Sequence, residues 1–152
     1  MSDHYTILIP TDPQVVPTKD KQLAAESLFR QLAPEADGIV SRLTDTVQFI
    51  GAGSNFESIG CTECKAPISQ DWWGKRMDDD FDRKSGFKLA LYTLPCCGAR
   101  KALHQLDYQW PQGFARYALE AMNANIGEVS ASQKAALEAA LGTELMVIYK
   151  HS

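Results

Sequence analysis

Apolar and polar positions along this chain follow two different periods, and the switches between them mark the elements. Residues 5–9 are a short apolar run rich in β-branched side chains that stops at Pro10, which predicts a buried first strand. After a loop with Pro13 and Pro17 the period lengthens. Leu28 and Leu32 lie one turn apart with Ala24 and Ala25 behind them, Glu26 precedes Arg30 by four, and Thr18 is a suitable N-cap, so a helix is predicted up to Pro34 and Gly38. Residues 39–43 and 46–50 are β-rich and are separated by Thr44 and Asp45, which predicts two strands joined by a tight turn.

The middle of the chain breaks this pattern. Residues 61–104 hold all four cysteines and two of the three tryptophans, and residues 56–104 read as an insertion within a single domain spanning 1–152. Inside it, Asp71 is placed to cap a helix on which Trp73, Met77 and Phe81 repeat every four residues, while Phe87, Leu89, Leu91 and Thr93 alternate as in a strand. Beyond it, Trp110-Pro111 predicts the start of a helix with Phe114, Ala118, Ala121 and Met122 on its apolar face, ending near Asn125 and Gly127. Ser130 and Gln133 form a capping-box pattern ahead of Leu137 and Leu141, Gly142 supplies the stop, and residues 145–149 form a last apolar strand. The order predicts an α+β fold: a two-layer ferredoxin-like sandwich, its first and last strands central, carrying a zinc-ribbon-like insertion.

Composition narrows the function classes. The 152 residues are 45% hydrophobic and 22% charged with a formal charge of −4, which disfavours a protein that coats nucleic acid or anionic membrane through overall basicity. No stretch approaches the roughly 20 apolar residues of a membrane span, and the N-terminal residues lack the basic and apolar regions of a secretion signal. The expectation is a soluble, cytoplasmic protein with no membrane partner.

The cysteines carry the chemistry. Cys61 and Cys64 form a C-x2-C pair, and Cys96 and Cys97 stand side by side between Pro95 and Gly98. A C-x2-C turn lets two thiolates converge on one ion, and a second pair brought in by a later hairpin closes a four-sulfur zinc site. Such an ion would hold together a segment too short for a sizeable core of its own. Adjacent cysteines on an extended strand point to opposite faces, so both reach one ion only if the backbone bends at Pro95 or Gly98; His104 is the alternative fourth ligand. A redox C-x2-C is the weaker reading, because Lys65, Ala66 and Pro67 do not begin a helix that would activate the thiol. Four thiolates would leave no open position on the metal, so the expected Zn²⁺ is structural.

Other clusters read more plainly. Asp78, Asp79, Asp80 and Asp82 are spaced to form a solvated helix face, with Asp79 four before Arg83 and Asp80 four before Lys84. Trp73 shares the buried stripe, whereas Trp72 falls with Lys75 and Arg76 on another side and is the exposed aromatic. Residues 61–104 carry a local charge of +2 against −6 for the remainder, well short of a strong nucleic-acid footprint. His4 and His151 are placed as neighbours by the pairing of the terminal strands, without a nucleophile beside them. There is no P-loop, dinucleotide fingerprint, G-x-S-x-G or H-E-x-x-H pattern.

The segments Cys61-x2-Cys64, Trp72-Trp73-Gly74, Pro95-Cys96-Cys97-Gly98 and Trp110-Pro111-Gln112-Gly113-Phe114-Ala115 together resemble those of a zinc-ribbon-containing group of small uncharacterised bacterial proteins. The resemblance covers the C-terminal two thirds and implies a zinc-bearing design and a bacterial origin. The expected function is a non-enzymatic, zinc-stabilised interaction module of adaptor or immunity type, presenting Trp72, Lys75 and Arg76 to an unknown protein partner. A nucleic-acid-binding zinc ribbon is the alternative.

Overall fold

The structure, a computed structural model, describes residues 2–152. It has a mixed α+β architecture. In chain order the elements are β1 (His4–Pro10), α1 (Lys19–Leu32), β2 (Gly38–Ile50), β3 (Ser58–Gly60), β4 (Pro67–Ile68), α2 (Gln70–Asp80), β5 (Phe81–Asp82), β6 (Gly86–Phe87), β7 (Tyr92–Thr93), β8 (Arg100–Lys101), a 3-10 turn (Leu103–Gln105), β9 (Asp107–Gln109), β10 (Gly113–Met122), α3 (Ala131–Leu141) and β11 (Leu145–His151). The main sheet has the order β11-β1-β10-β2-β6-β5, in which only β2 and β6 run parallel. Two smaller sheets, β4-β3-β9 and β7-β8, lie in the middle segment.

The first helix is capped as expected: the Thr18 hydroxyl accepts from the Lys21 N–H at 3.4 Å. Phe29 and Ala25 of α1 and Leu137 and Leu141 of α3 pack on Leu8, Tyr117, Leu119 and Ala121 of the sheet in one buried cluster. Truncating a ring as buried as that of Phe29 costs about 3–5 kcal/mol. Ser130 and Gln133 form the capping box of α3, and Gly142 ends the helix in the left-handed conformation at φ 72°.

Three expectations about the body are corrected. The turn at Thr44 and Asp45 is absent, and β2 runs through it; Leu43 stands opposite Tyr117 and Gln48 opposite Ala115, so residues 44–47 face Arg116 alone. The Thr44 hydroxyl bonds back to the carbonyls of Thr46 and Arg116, and Arg116 Nε donates to the Thr44 carbonyl, which holds this bulge. The helix predicted after Trp110 is strand β10, buried along most of its length in the middle of the sheet. Only β1 of the terminal strands is interior. β11 is an edge, partly shielded where His151 N–H donates to the Ala52 carbonyl, Ser54 N–H to the His151 carbonyl and Asn55 Nδ2 to the Tyr149 carbonyl.

The middle segment lies between the two long paired strands β2 and β10 and forms its own buried cluster. Val47, Ile59, Cys61, Ile68, Phe87, Leu94, Leu103, Tyr108 and Phe114 belong to it. Helix α2 starts from Ser69 rather than Asp71, the Ser69 hydroxyl accepting the Trp72 N–H at 3.1 Å. The alternating run from Phe87 to Thr93 is two short strands, because Leu89 takes a left-handed φ of 55° between them. Gly86 allows β6 to join β2: a Cβ there would stand 2.5 Å from the Val47 carbonyl oxygen.

Candidate metal centre

Two hairpins bring the cysteines together. β3 enters and β4 leaves a turn over residues 61–66, while β7 enters and β8 leaves a turn over residues 94–99. In the first, Cys61 N–H donates to the Ala66 carbonyl at 2.9 Å and Lys65 N–H to the Cys61 carbonyl at 3.0 Å. In the second, Leu94 N–H donates to the Ala99 carbonyl at 2.8 Å and Gly98 N–H to the Leu94 carbonyl at 3.0 Å. The fifth residue of each turn is left-handed, Lys65 at φ 66° and Gly98 at φ 76°. The strand registers also correspond, with Gly60 opposite Pro67 and Thr93 opposite Arg100. The two turns are thus one local structure used twice, and its reversal supplies the bend that adjacent cysteines need.

As a result, ligand atoms of Cys61, Cys64, Cys96 and Cys97 all lie within 4.8 Å of one another. Cys61 Sγ stands 3.8 Å from Cys97 Sγ, and Cys96 Sγ 3.9 Å from Cys97 Sγ. A tetrahedral ion with metal–sulfur bonds of about 2.3 Å requires sulfur separations of about 3.8 Å. The donor set and its spacing therefore fit a tetrahedral thiolate metal.

The four sulfurs are not equivalent. Cys61 has no exposed surface, while the other three residues are exposed. The N–H groups of Glu63 and Cys64 point at Cys61 Sγ at 3.3 and 3.5 Å. The Cys64 N–H is the main cause that draws the Cys61 thiol down to about 6, against the opposing effect of its burial, with the Glu63 N–H assisting. Cys96 is pushed up to about 12, first by its removal from water and then by hydrogen bonds with the sulfurs of Cys64 and Cys61. For Cys97 the Ala99 N–H acts to lower the value, but desolvation and the sulfurs of Cys61 and Cys64 outweigh it and the net shift is upward. These shifts favour the thiolate at Cys61 and the thiol at Cys96 and Cys97 before a metal displaces the protons.

His104 is not a member of the group. It sits in the 3-10 turn, half-buried, with Nδ1 enclosed and without a hydrogen-bond partner. Burial holds its pKa below the usual imidazole value, opposed by the carboxylates of Asp12 and Asp80.

The expected partner face is more engaged than its sequence suggests. Trp72 is half-buried against the middle cluster, and the Arg76 guanidinium covers its ring at 5.6 Å. Arg76 Nε lies 3.1 Å from the Asp79 carboxylate, an ion pair without hydrogen-bond alignment, and Lys75 is exposed. Trp73 Nε1 donates to Tyr108 Oη at 3.0 Å, and that hydroxyl donates to the Leu103 carbonyl at 2.6 Å.

The aspartate run also departs from expectation. Helix α2 ends at Asp80, so Arg83 and Lys84 lie beyond it and neither predicted ion pair forms; Asp79 turns back to Arg76 instead. Asp80 is fully buried and accepts from Leu89 N–H at 2.7 Å, Ala90 N–H at 3.0 Å and Tyr92 Oη at 2.9 Å. This latch ties α2 to the strand that leads into the second cysteine turn. Sequence reasoning missed it because three consecutive aspartates read as solvated.

His4 and His151 do meet, their rings stacked at 4.3 Å between centroids. They lie near a cleft of about 700 Å³ at one end of the sheet, lined in part by His4, Tyr5, Trp110, Asn125, Tyr149 and Lys150. No helix among the described residues is long and apolar enough to cross a membrane. Compared with protein-family models, with curated proteins and with solved structures, the chain matches none.

Proposed function

We propose that Cys61, Cys64, Cys96 and Cys97 hold one structural Zn²⁺ and that the chain is a non-enzymatic interaction module whose working surface this ion stabilises. The observation that carries the reading is the repeated turn, which gathers four sulfurs within 4.8 Å of one another from two separate hairpins. Zinc fits because an all-sulfur tetrahedral donor set suits a borderline-soft d10 ion. A four-thiolate ion has no open position for a substrate, which favours a structural role over a catalytic one. Four thiolate ligands on one ion need reduced sulfurs, which suits a reducing compartment such as the cytoplasm.

The body reads as a ferredoxin-like sandwich interrupted between its second and third strands. Leaving out the middle segment, the strands β1, β2, β10 and β11 follow the antiparallel order β11-β1-β10-β2, with α1 and α3 packed on it. The interaction face is α2, with Trp72, Lys75 and Arg76 directed to a protein partner of the adaptor or immunity type. It is held at one end by the Asp80 latch to the metal-bearing hairpin. A nucleic-acid partner is less well supported, since residues 61–104 carry a net charge of only +2 and Lys101 is paired with Glu63 at 2.6 Å.

Metal content and thiol reactivity of protein purified under reducing conditions test the reading. One zinc per chain and thiols masked until chelation are expected. Four freely reactive thiols and no metal would overturn it. A filter-binding salt titration with single- and double-stranded nucleic acid is expected to show no binding at low salt; tight, salt-sensitive binding would favour the nucleic-acid alternative.

A further inference from the structure

The cleft at the end of the main sheet belongs to neither the cysteine centre nor the α2 face. Its volume of about 700 Å³ falls within the range of about 300–1,000 Å³ usual for small-ligand sites. Glu35 comes to it from the loop after α1, Asn55 and Trp110 from the two ends of the middle segment, Asn125 and Glu128 from the loop after β10, and Tyr149 and Lys150 from β11. Hydrogen bonds fix these parts to one another. Asn55 Nδ2 donates to the Tyr149 carbonyl at 3.1 Å, the Val129 N–H to Tyr149 Oη at 2.8 Å, and Asn125 Nδ2 to the Glu35 carboxylate at 2.6 Å. Asn123 ties the loop after β10 to β1 and to the entry of β2: its Oδ1 accepts the His4 N–H at 2.9 Å, and its Nδ2 donates to the carboxylates of Asp3 and Asp37 at 3.1 and 2.7 Å. The cleft is therefore preformed, and a ligand need not order it.

The chemistry of the lining narrows the occupant. Trp110 is 42% exposed and belongs to none of the three buried clusters, so a flat aromatic face stands open without a packing role. The polar groups around it have unused capacity. Among the described residues Glu128 and Lys150 have no hydrogen bond or ion pair, Asn55 and Asn125 each have a free Oδ1, and Tyr149 Oη accepts a bond but gives none. The carboxylates of Glu35 and Glu128 outnumber the single ammonium of Lys150, which disfavours an anion. That ammonium already lies over the Tyr5 ring at 5.5 Å, which disfavours a second cation there. What suits the cleft is a neutral molecule with one apolar ring face and an edge that both donates and accepts. A nucleobase meets its polar partners along one edge, whereas here they come from several segments around the cleft, which matches hydroxyls directed outward all round a saturated ring.

We propose that this cleft is a binding site for a neutral saccharide, a pyranose ring stacking its C–H face on Trp110 while its hydroxyls bond to Asn55, Asn125, Glu128, Tyr149 and Lys150. The site does not depend on the metal reading, and binding there breaks no covalent bond.

The test is saturation-transfer NMR on the whole chain as purified. The probes are glucose, galactose, mannose, N-acetylglucosamine, maltose, cellobiose, lactose and chitobiose at millimolar concentration, beside adenosine, inorganic phosphate and tetramethylammonium. At least one of the saccharides is expected to bind, with an affinity that does not change with salt because no ionic contact is formed. It should move the one indole N–H signal that Trp110→Phe removes and leave in place that of Trp73, which is held by Tyr108. Trp110→Ala should weaken binding roughly tenfold and Trp110→Phe by less. The melting temperature should not change in either, since the side chain lies outside the buried clusters. Binding of none of the saccharides, binding of adenosine, phosphate or tetramethylammonium in their place, a stationary Trp110 signal, or saccharide binding that Trp110→Ala leaves intact would overturn the proposal.

Discussion

Leu94 stands in the second cysteine turn where Cys61 stands in the first. Both N–H groups bond five residues ahead, to Ala99 and Ala66, both carbonyls accept from the left-handed fifth residue, and both side chains are buried in the middle cluster. The second turn is in this sense a cysteine knuckle whose first ligand has been replaced by leucine, with Cys96 supplying the missing sulfur from two positions further on.

That equivalence predicts a rescue. Cys96→Ala should reduce zinc occupancy well below one per chain, because three thiolates remain. Adding Leu94→Cys places a sulfur at the position matching Cys61 and should restore one zinc per chain, in spite of about 1–2 kcal/mol lost by shrinking a side chain that is 1% exposed. Metal content of both variants by atomic emission checks this. A double variant no richer in zinc than Cys96→Ala would show that the likeness of the turns does not extend to their ligand positions.

The Asp80 latch makes a separate prediction about stability. Tyr92→Phe removes one hydrogen bond to a buried carboxylate and should cost about 1.5–3 kcal/mol in a denaturant titration at neutral pH. The Tyr92 hydroxyl is pushed up from 10 to about 12, first by burial and then by Asp80. A raised folded value means that the unfolded chain loses this proton first as pH rises. The contribution is therefore complete below pH 10 and lost between about 10 and 12. The stability gap between wild type and Tyr92→Phe should accordingly narrow over that window; a constant gap would count against the latch.

His104 gives the opposite sign at the acid end. Its folded pKa is depressed by burial, so the unfolded chain binds the proton more readily and stability falls as pH drops below the ordinary imidazole value of 6.5. His104→Gln removes this group while keeping a polar side chain. Wild type should lose more in Tm than the variant between pH 7 and 5, and equal losses would show that His104 does not titrate with folding. Proton competition for the thiolates affects both proteins alike, which is why the difference is the informative quantity.

How much of this was legible in the sequence depended on whether a local signal had a local cause. The caps at Thr18 and Ser130 and the grouping of Cys61, Cys64, Cys96 and Cys97 were, because a cap or a turn is settled within a few residues. Strand β10 was not. It is buried in the middle of the sheet, so its apolar run carries no alternation, and its two less buried positions before Met122, Arg116 and Glu120, are four apart and imitate a helix face. The Thr44-Asp45 pair reads as a turn because the chain does depart from regular pairing there, but as a bulge against a strand that arrives some seventy residues later. The burial of Asp80 depends on Leu89, Ala90 and Tyr92 folding back onto it, which no periodicity announces.

Chelation should separate the two cores of this protein. The cluster around Leu8, Phe29, Tyr117 and Leu137 joins the helices to the sheet and contains no cysteine, whereas Cys61 and Leu94 are part of the cluster that holds the middle segment together. The strands of that segment are two or three residues long, too short to persist on pairing alone. Removal of the metal leaves Cys61 buried among apolar groups with nothing to hold the second turn against it, so opening should spread through β3, β4, β7 and β8 and stop where β10 is paired to β1. Backbone hydrogen exchange measures this directly. On chelation, amides in residues 58–68 and 92–101 should exchange faster by roughly two orders of magnitude, while those of β1 and the second half of β10 keep most of their protection. Uniform acceleration along the chain would mean that the ion supports the whole fold rather than one part of it. No acceleration would mean that the middle cluster is stable without any metal, and the structural role proposed for the four cysteines would fail.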